Sequence, residues 1–401
     1  MIKAIVNSFF IAGRYLVYHK GRSLILIIAL AIILFVPVFL NIIVNQSREQ
    51  LSSRADDTPL ILGAPGSSLD LAMSNLYFVA KQPASITYQD AINIDQSGLA
   101  TAIPLHTGFR VGDFRIVGTT LDYFDHRQLS LKDGRLMAML GEAVVGATAA
   151  RRLNCSAGDS LVSTPENFID IAGQYPLKMK VTGVLAATGT ADDEAVFVDL
   201  RTSWVIAGLG HGHQDLNKNK DPDLTLKSAD KNTVTANAKL ITYIEITAEN
   251  LASFHFHGND AGFPISSAII VPKDDKSKAL LLGRYQSPSQ TQTLQLIRPP
   301  LIMQELIDAI FRIKTVLDLV IVVVAISTAL TILLVFILSL RLRARELTTI
   351  FRLGCGRLTT AGFVIAELFL IATASLILAA LLITLTNHWG NTLLIQMLQE
   401  R

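Results

Sequence analysis

The chain is 401 residues long, half of them apolar and only 17% charged, with a formal net charge of +2. So low a charged fraction lies below the roughly 25% of soluble domains, and the near-neutral balance gives no electrostatic reason to expect nucleic acid as a partner. The two cysteines, Cys155 and Cys355, fall in segments that topology places on opposite sides of a membrane, which excludes a disulfide framework.

Residues 1–22 read as an amphipathic helix on a membrane surface. Ile2, Ile5, Val6, Phe9, Phe10, Gly13, Leu16 and Val17 keep helical spacing, while Lys3, Asn7 and Arg14 fall off that face. Residues 23–45 follow as a first membrane span, built on the uncharged run Leu24–Val44. That run exceeds the apolar stretch of a secretory leader and no small-x-small site follows it, so it reads as an uncleaved anchor. The polar segment Gln46–Asp57 is expected to continue the helix outward.

Residues 46–313 read as one large α+β domain. Short β-rich runs occur at Phe114–Gly118, Val144–Gly146, Met179–Leu185, Ala195–Asp199, Ile241–Thr247 and Ala268–Val271. Helical patterns intervene at Gly66–Phe78, Gly146–Leu153 and Lys276–Tyr285. Between Gly208 and Ala238 apolar residues thin out, which marks a long loop inside an inserted subdomain spanning about 201–265. From Leu301 a helical pattern leads into a second span at 314–341, centred on the uncharged Leu319–Leu340. A cytoplasmic loop and helix occupy 342–361, a third span 362–386 with Glu367 its one charge, and a polar tail 387–401. The tail carries Leu393, Leu394, Ile395 and Leu398 at helical spacing.

Loop charge sets orientation. Lys3, Arg14, Lys20 and Arg22 precede the first span without an acid, and Arg341, Arg343, Arg345, Arg352 and Arg357 with the single acid Glu346 separate the second and third. Short basic loops stay in the cytoplasm. The N-terminus is therefore expected inside, with the large domain and the C-terminal tail outside.

Three groups of residues carry candidate chemistry. His211 and His213 flank Gly212, and His255 and His257 flank Phe256. Residues two apart in a strand share a face, so either pair can offer two imidazoles to Zn²⁺ or Cu²⁺, with Asp215 and Asp260 near in sequence. A polar loop and a surface strand are the plain alternative, and no metal ligand is assigned. Asp215–Asp223 alternates oxygen-bearing side chains as calcium loops do, but Lys220 stands at the glycine position and Leu226 at that of the bidentate Glu. Glu367, at the inner edge of a span, reads as a structural or coupling residue within reach of Arg352 or Arg357. Asp192-Asp193-Glu194 reads as a turn, and no catalytic constellation emerges.

The segment Arg341–Glu367 is the most informative. A short basic helix leaves the second span, Gly354 and Gly356 break it, and Thr359 and Thr360 can open the next helix. Arg343-Ala344-Arg345-Glu346-Leu347, then Leu353-Gly354-Cys355-Gly356, then Glu367 resemble the loop between the second and third spans of the ABC-transporter permeases that include MacB, LolC, LolE and FtsX. In the outer domain, Phe114–Phe124 followed by Gly134-Arg135, Glu142–Asp159, and Val181-Thr182-Gly183-Val184-Leu185 resemble that family's motifs in the same order. Two features depart from it: the family has four spans where three are visible here, and no G-x-x-x-x-G-K-[ST] occurs.

The resemblance implies a non-catalytic permease subunit in the bacterial inner membrane, built from three transmembrane helices and an α+β periplasmic domain. It implies a separate P-loop ATPase that binds ATP and Mg²⁺, a second permease chain, identical or different, and a periplasmic adaptor or substrate-binding protein as a further partner. This chain would hold no cofactor. Arg343, Arg345, Glu346, Arg352, Gly354, Gly356, Arg357 and Glu367 would then couple to the ATPase. Two alternatives stand beside this reading: a zinc-handling permease or sensor using the paired histidines, and an FtsX-like scaffold that activates an envelope hydrolase.

Overall fold

The long uncharged runs fold as long helices, because an apolar stretch in lipid must satisfy its backbone polar groups internally. The structure is a computed structural model, and it describes residues 2–79, 84–164, 176–212, 225–226, 235–236, 244–285, 293–342, 344–352 and 357–399. It divides into two units, Met1–Glu49 with Leu306–Arg401, and Gln50–Glu305.

Among the described residues, three helices are long and apolar enough to cross a membrane, over Lys20–Asn45, Pro299–Val335 and Ala361–Thr386. Their apolar side chains, among them Ile25, Ile32, Leu330, Leu334 and Leu381, are exposed on the isolated chain, as side chains that meet lipid are. The first belongs to a helix running from Lys20 to Asp56, so the polar segment does continue it. The second starts at Pro299-Pro300, where a missing N–H costs nothing, and ends at Leu342. The third runs from Arg357 to Gln399, and the tail is a continuation of this helix past Asn387. Gly390 interrupts its pattern, but one interior glycine costs a helix only about 1 kcal/mol.

The N-terminal helix, Ile2–Tyr18, packs against the third long helix. Ser8 and Ala12 are buried, Ser8 faces Gly362, and Phe9 meets Phe369 edge to face with centroids 5.6 Å apart. Val6, Phe10 and Val17 form an exposed apolar side, so the amphipathic pattern serves a helix contact on one flank and leaves a lipid-seeking flank free.

The second unit is organised on a sheet of ten strands among the described residues. From one edge the order is Gln295–Ile297, Leu60–Gly63, Ser267–Pro272, Ala100–Val111, Phe114–Thr119, Ala195–Asp199, Glu142–Val145, Lys178–Leu185 and Leu131–Gly134, with Ser160–Val162 also on Lys178–Leu185. Two pairings are parallel, Phe114–Thr119 with Ala195–Asp199 and Glu142–Val145 with Lys178–Leu185. Helices Ser68–Tyr77, Ala147–Leu153 and Asp275–Tyr285 lie where the sequence pattern puts them. Ser67 caps the first by accepting from the Asp70 N–H at 3.1 Å.

Side-chain parity divides the core. Ile103, Leu105, Val117, Val144, Phe197 and Ile269 belong to one cluster, whereas their strand neighbours Ala102, Ile116, Val145, Val198 and Ile270 join two others. A register shift between His106 and Phe109 flips the alternation, so that Phe109 and Val111 leave the face of Ile103 and Leu105.

One expected strand is described only in part. Of Ile241–Thr247, residues 241–243 lie outside the described residues, and the remainder makes a single bridge, Glu245 to Lys178. Local polar bonds end it. Asn250 donates from Nδ2 to the Glu245 carbonyl at 2.8 Å and accepts from the Thr247 N–H at 2.7 Å, while Ile246 turns into the core against Gly141.

Candidate functional site

The loop between the second and third spans is a helix, Ala344–Arg352, with a strong segregation of polar and apolar sides. Arg345 and Arg352 are both exposed. They sit seven residues apart, two turns, and so share one face. Thr348 and Thr349 bond back to the carbonyls of Ala344 and Arg345 and present little else. Glu346 lies on the same helix, and Arg357 opens the next. Arg343, Gly354 and Gly356 lie outside the described residues.

Glu367 is buried, and Arg22 is one of its partners. Arg22 donates from Nη2 to Glu367 Oε1 at 2.9 Å. The carboxylate joins the start of the first long helix to the third across 345 residues of sequence. The side chain of Arg357, expected within reach of Glu367, lies outside what the structure describes. An arginine at the start of the first span thus reaches the start of the third, and Arg352 is exposed on its own helix.

A second buried ionic group was not legible in the sequence. Arg54, in the last turn of the helix Lys20–Asp56, is buried within the outer domain. Its guanidinium donates to both oxygens of Asp192, from Nη1 at 2.6 Å and Nη2 at 2.9 Å, and to the Tyr123 hydroxyl at 3.0 Å, while Nε bonds the Leu76 carbonyl. The Tyr123 hydroxyl donates to Asp192 Oδ1 at 2.6 Å. Burial pushes the Asp192 carboxyl upward, but the Arg54 guanidinium, with help from Tyr123 and Arg127, outweighs it and holds the group below the ordinary carboxylate range. Arg54 also lies over the Phe78 ring, 5.7 Å from its centroid. The Asp192-Asp193-Glu194 run is a short 3-10 turn, Ala191–Glu194, as its composition indicates. Its first carboxylate is nonetheless the anchor for a helix that comes from the membrane span. The one signal in the sequence was an arginine ending a polar helix after an apolar run.

The outer-domain motifs that carried the resemblance are structural. Gly134 and Gly183 lie where two strands cross closely. A Cβ on Gly134 would stand 2.2 Å from the Thr182 carbonyl, and one on Gly183 2.5 Å from the Arg135 carbonyl. Arg135 then pairs with Glu142, whose Oε2 also accepts the Ala138 and Met139 N–H groups at 2.8 and 3.1 Å.

The histidines form one group across two strands. Gly210–Gly212 pairs antiparallel with Phe254–Phe256, with His211 opposite His255. His257 follows two residues on, and the three rings stand 4.8 to 5.0 Å apart, centroid to centroid. Their ligand nitrogens all lie within 4.8 Å of one another. His213 and Asp215, with the rest of the calcium-like stretch, lie outside the described residues. Asp260 pairs with Arg201 at 3.1 Å and is not one of the group. His255 also lines an open cleft of about 690 Å³ with Phe254, Arg201 and Asp260.

Comparison with known proteins adds a family. The MacB-like periplasmic core domain matches residues 23–243. Among solved structures, the periplasmic region of MacB from Actinobacillus actinomycetemcomitans is 12% identical, over 64% of this chain and 94% of that one, with a TM-score of 0.35. The extracellular domain of the noncanonic ABC-type transporter YknZ from Gram-positive bacteria is 14% identical, over 59% of this chain and 98% of that one, with a TM-score of 0.30. No curated protein matches the chain.

Proposed function

This chain belongs to the family of the MacB-like periplasmic core domain, that of MacB/FtsX-type ABC transporter permeases, and from that premise we propose that it transmits force from a separate ATPase to its outer domain. It is a membrane protein with a large extracellular-type domain. In the proposed orientation the basic loops face the cytoplasm of a bacterium and the domain faces the periplasm. ATP binding and hydrolysis in a partner subunit press on the helix Ala344–Arg352, and the domain moves substrate or partner proteins on the far side. A second permease chain completes the assembly.

The observation that carries this reading is the Arg54 anchor. The helix that forms the first span does not end at the membrane surface; it runs on to Asp56 and buries a charged side chain among Asp192, Tyr123 and the Leu76 carbonyl. A loose tether needs no such group. Removing one partner of a buried ion pair costs about 3–5 kcal/mol, so the helix end and the domain move as one body. The helix Pro299–Leu342 also runs from the domain into a span, with Met303 buried near its start.

Arg345 and Arg352 supply the ATPase contact. Replacing both by glutamate, Arg345→Glu with Arg352→Glu, is expected to abolish co-purification of the ATPase while the chain still inserts in the membrane. Undiminished co-purification of the double variant would remove these residues from the interface.

A further inference from the structure

We propose that His211, His255 and His257 form a binding site for a borderline divalent cation, with Zn²⁺ as the reference ion. The claim is independent of ATPase coupling and stands or falls separately.

The local sequence builds the site by strand alternation. In Gly210-His211-Gly212 against Phe254-His255-Phe256, glycines and phenylalanines share one side and histidines the other. A Cβ on Gly210 would meet the Phe256 ring at 2.7 Å, and one on Gly212 the Phe254 ring at 2.5 Å, so only glycine lets the rings lie on the backbone. Both rings then pack on the hydrophobic core, and the Arg201 guanidinium lies 4.7 Å from the Phe256 centroid. That anchoring fixes the opposite side, where the imidazoles project.

One tautomer is set by a neighbour. His255 Nδ1 lies 3.1 Å from the Ser253 carbonyl oxygen. A carbonyl only accepts, so Nδ1 carries the proton and Nε2 keeps its lone pair for a metal, the arrangement in which a backbone oxygen orients a metal-binding histidine. In a tetrahedral zinc site with bonds of about 2.0–2.1 Å, nitrogens lie about 3.3 Å apart. The present separation of at most 4.8 Å closes by rotation of the His255 and His257 rings, both of which are exposed.

Three nitrogen ligands leave a fourth position to water or to a donor on a ligand, and imidazole suits zinc and copper rather than calcium or magnesium. The adjoining cleft gives an ion an open approach. Asp260 is held by Arg201, so no poised carboxylate base stands at the site among the described residues, and the site is assigned to binding, not hydrolysis. An ion here would link the strands on either side of residues 213–253, and a metal clip across so long a stretch of chain stabilises by limiting the unfolded chain.

The test uses the full-length chain in detergent, carrying a histidine-free affinity tag and stripped by chelator. Titration calorimetry with ZnCl₂ should show about one equivalent bound per chain at micromolar or tighter affinity. His255→Asn alone should weaken binding at least about tenfold, as loss of a ligand exceeds loss of a supporting group. The triple variant, His211→Asn with His255→Asn and His257→Asn, should abolish it, and His126→Asn should leave it unchanged. X-ray absorption of the zinc-loaded chain should show imidazole nitrogens at about 2.0–2.1 Å and no sulfur. No stoichiometric uptake, uptake retained by the triple variant, or a sulfur ligand would each overturn the proposal.

Discussion

Charged side chains decide the joints of this molecule, and each joint predicts its own variant. Arg54→Met leaves Asp192 buried without its cation and should destabilise the outer domain by about 3–5 kcal/mol, read as a lower unfolding temperature of the purified chain. The charge swap Arg22→Glu with Glu367→Arg should recover detergent stability that either single change loses, about 1.5–3 kcal/mol for a charge-assisted bond; no recovery would contradict the pairing. His106 is buried with Nδ1 2.9 Å from the Ser203 hydroxyl, and burial pushes it down to about 4. The unfolded chain takes up that proton below about pH 6.5 while the folded domain refuses it until about pH 4. Stability is therefore full above about 6.5 and drains as pH falls toward 4, at up to about 1.4 kcal/mol per pH unit. His106→Gln should be less stable at neutral pH but show a flatter slope over that window; equal slopes would contradict the assignment. These joints were hidden in the sequence because their partners are distant. Arg54 and Asp192 are 138 residues apart, and Arg22, which pairs with Glu367, is 345 residues away from it.

At the scale of elements, periodicity was readable wherever a segment's own chemistry decided its conformation. The uncharged runs became helices, and Phe114–Thr119, Lys178–Leu185 and Ala195–Asp199 became strands where their apolar patterning put them. Periodicity was a poorer guide where local bonds prevail, as in residues 244–247, where the Asn250 side chain takes up the Glu245 carbonyl and the Thr247 N–H. The strand Ala100–Val111 escaped notice because Pro104 interrupts it and the shift after His106 reverses its alternation. The two histidine pairs were visible, but the grouping of His211 with His255 and His257 needed the pairing of two distant strands. The continuous helix Lys20–Asp56 carries an element-level prediction. Gln50→Pro should break it between the span and Arg54, since interior proline costs about 3 kcal/mol. The ATPase should still co-purify, yet ATP-dependent changes in hydrogen exchange of the outer domain should vanish; unaltered changes would mean that force does not travel by this helix.

For the whole molecule, family membership and three apolar helices give the frame of a MacB/FtsX-type permease. In the proposed function the energy comes from a separate ATPase subunit. The most direct test is purification of this chain from its native membranes in mild detergent, with the accompanying proteins identified by mass spectrometry. A P-loop ATPase recovered in stoichiometric amount, and lost with Arg345→Glu and Arg352→Glu, is the predicted result. Absence of any ATPase, even after crosslinking from a cysteine introduced at Arg352, would contradict the coupling on which the proposed function rests.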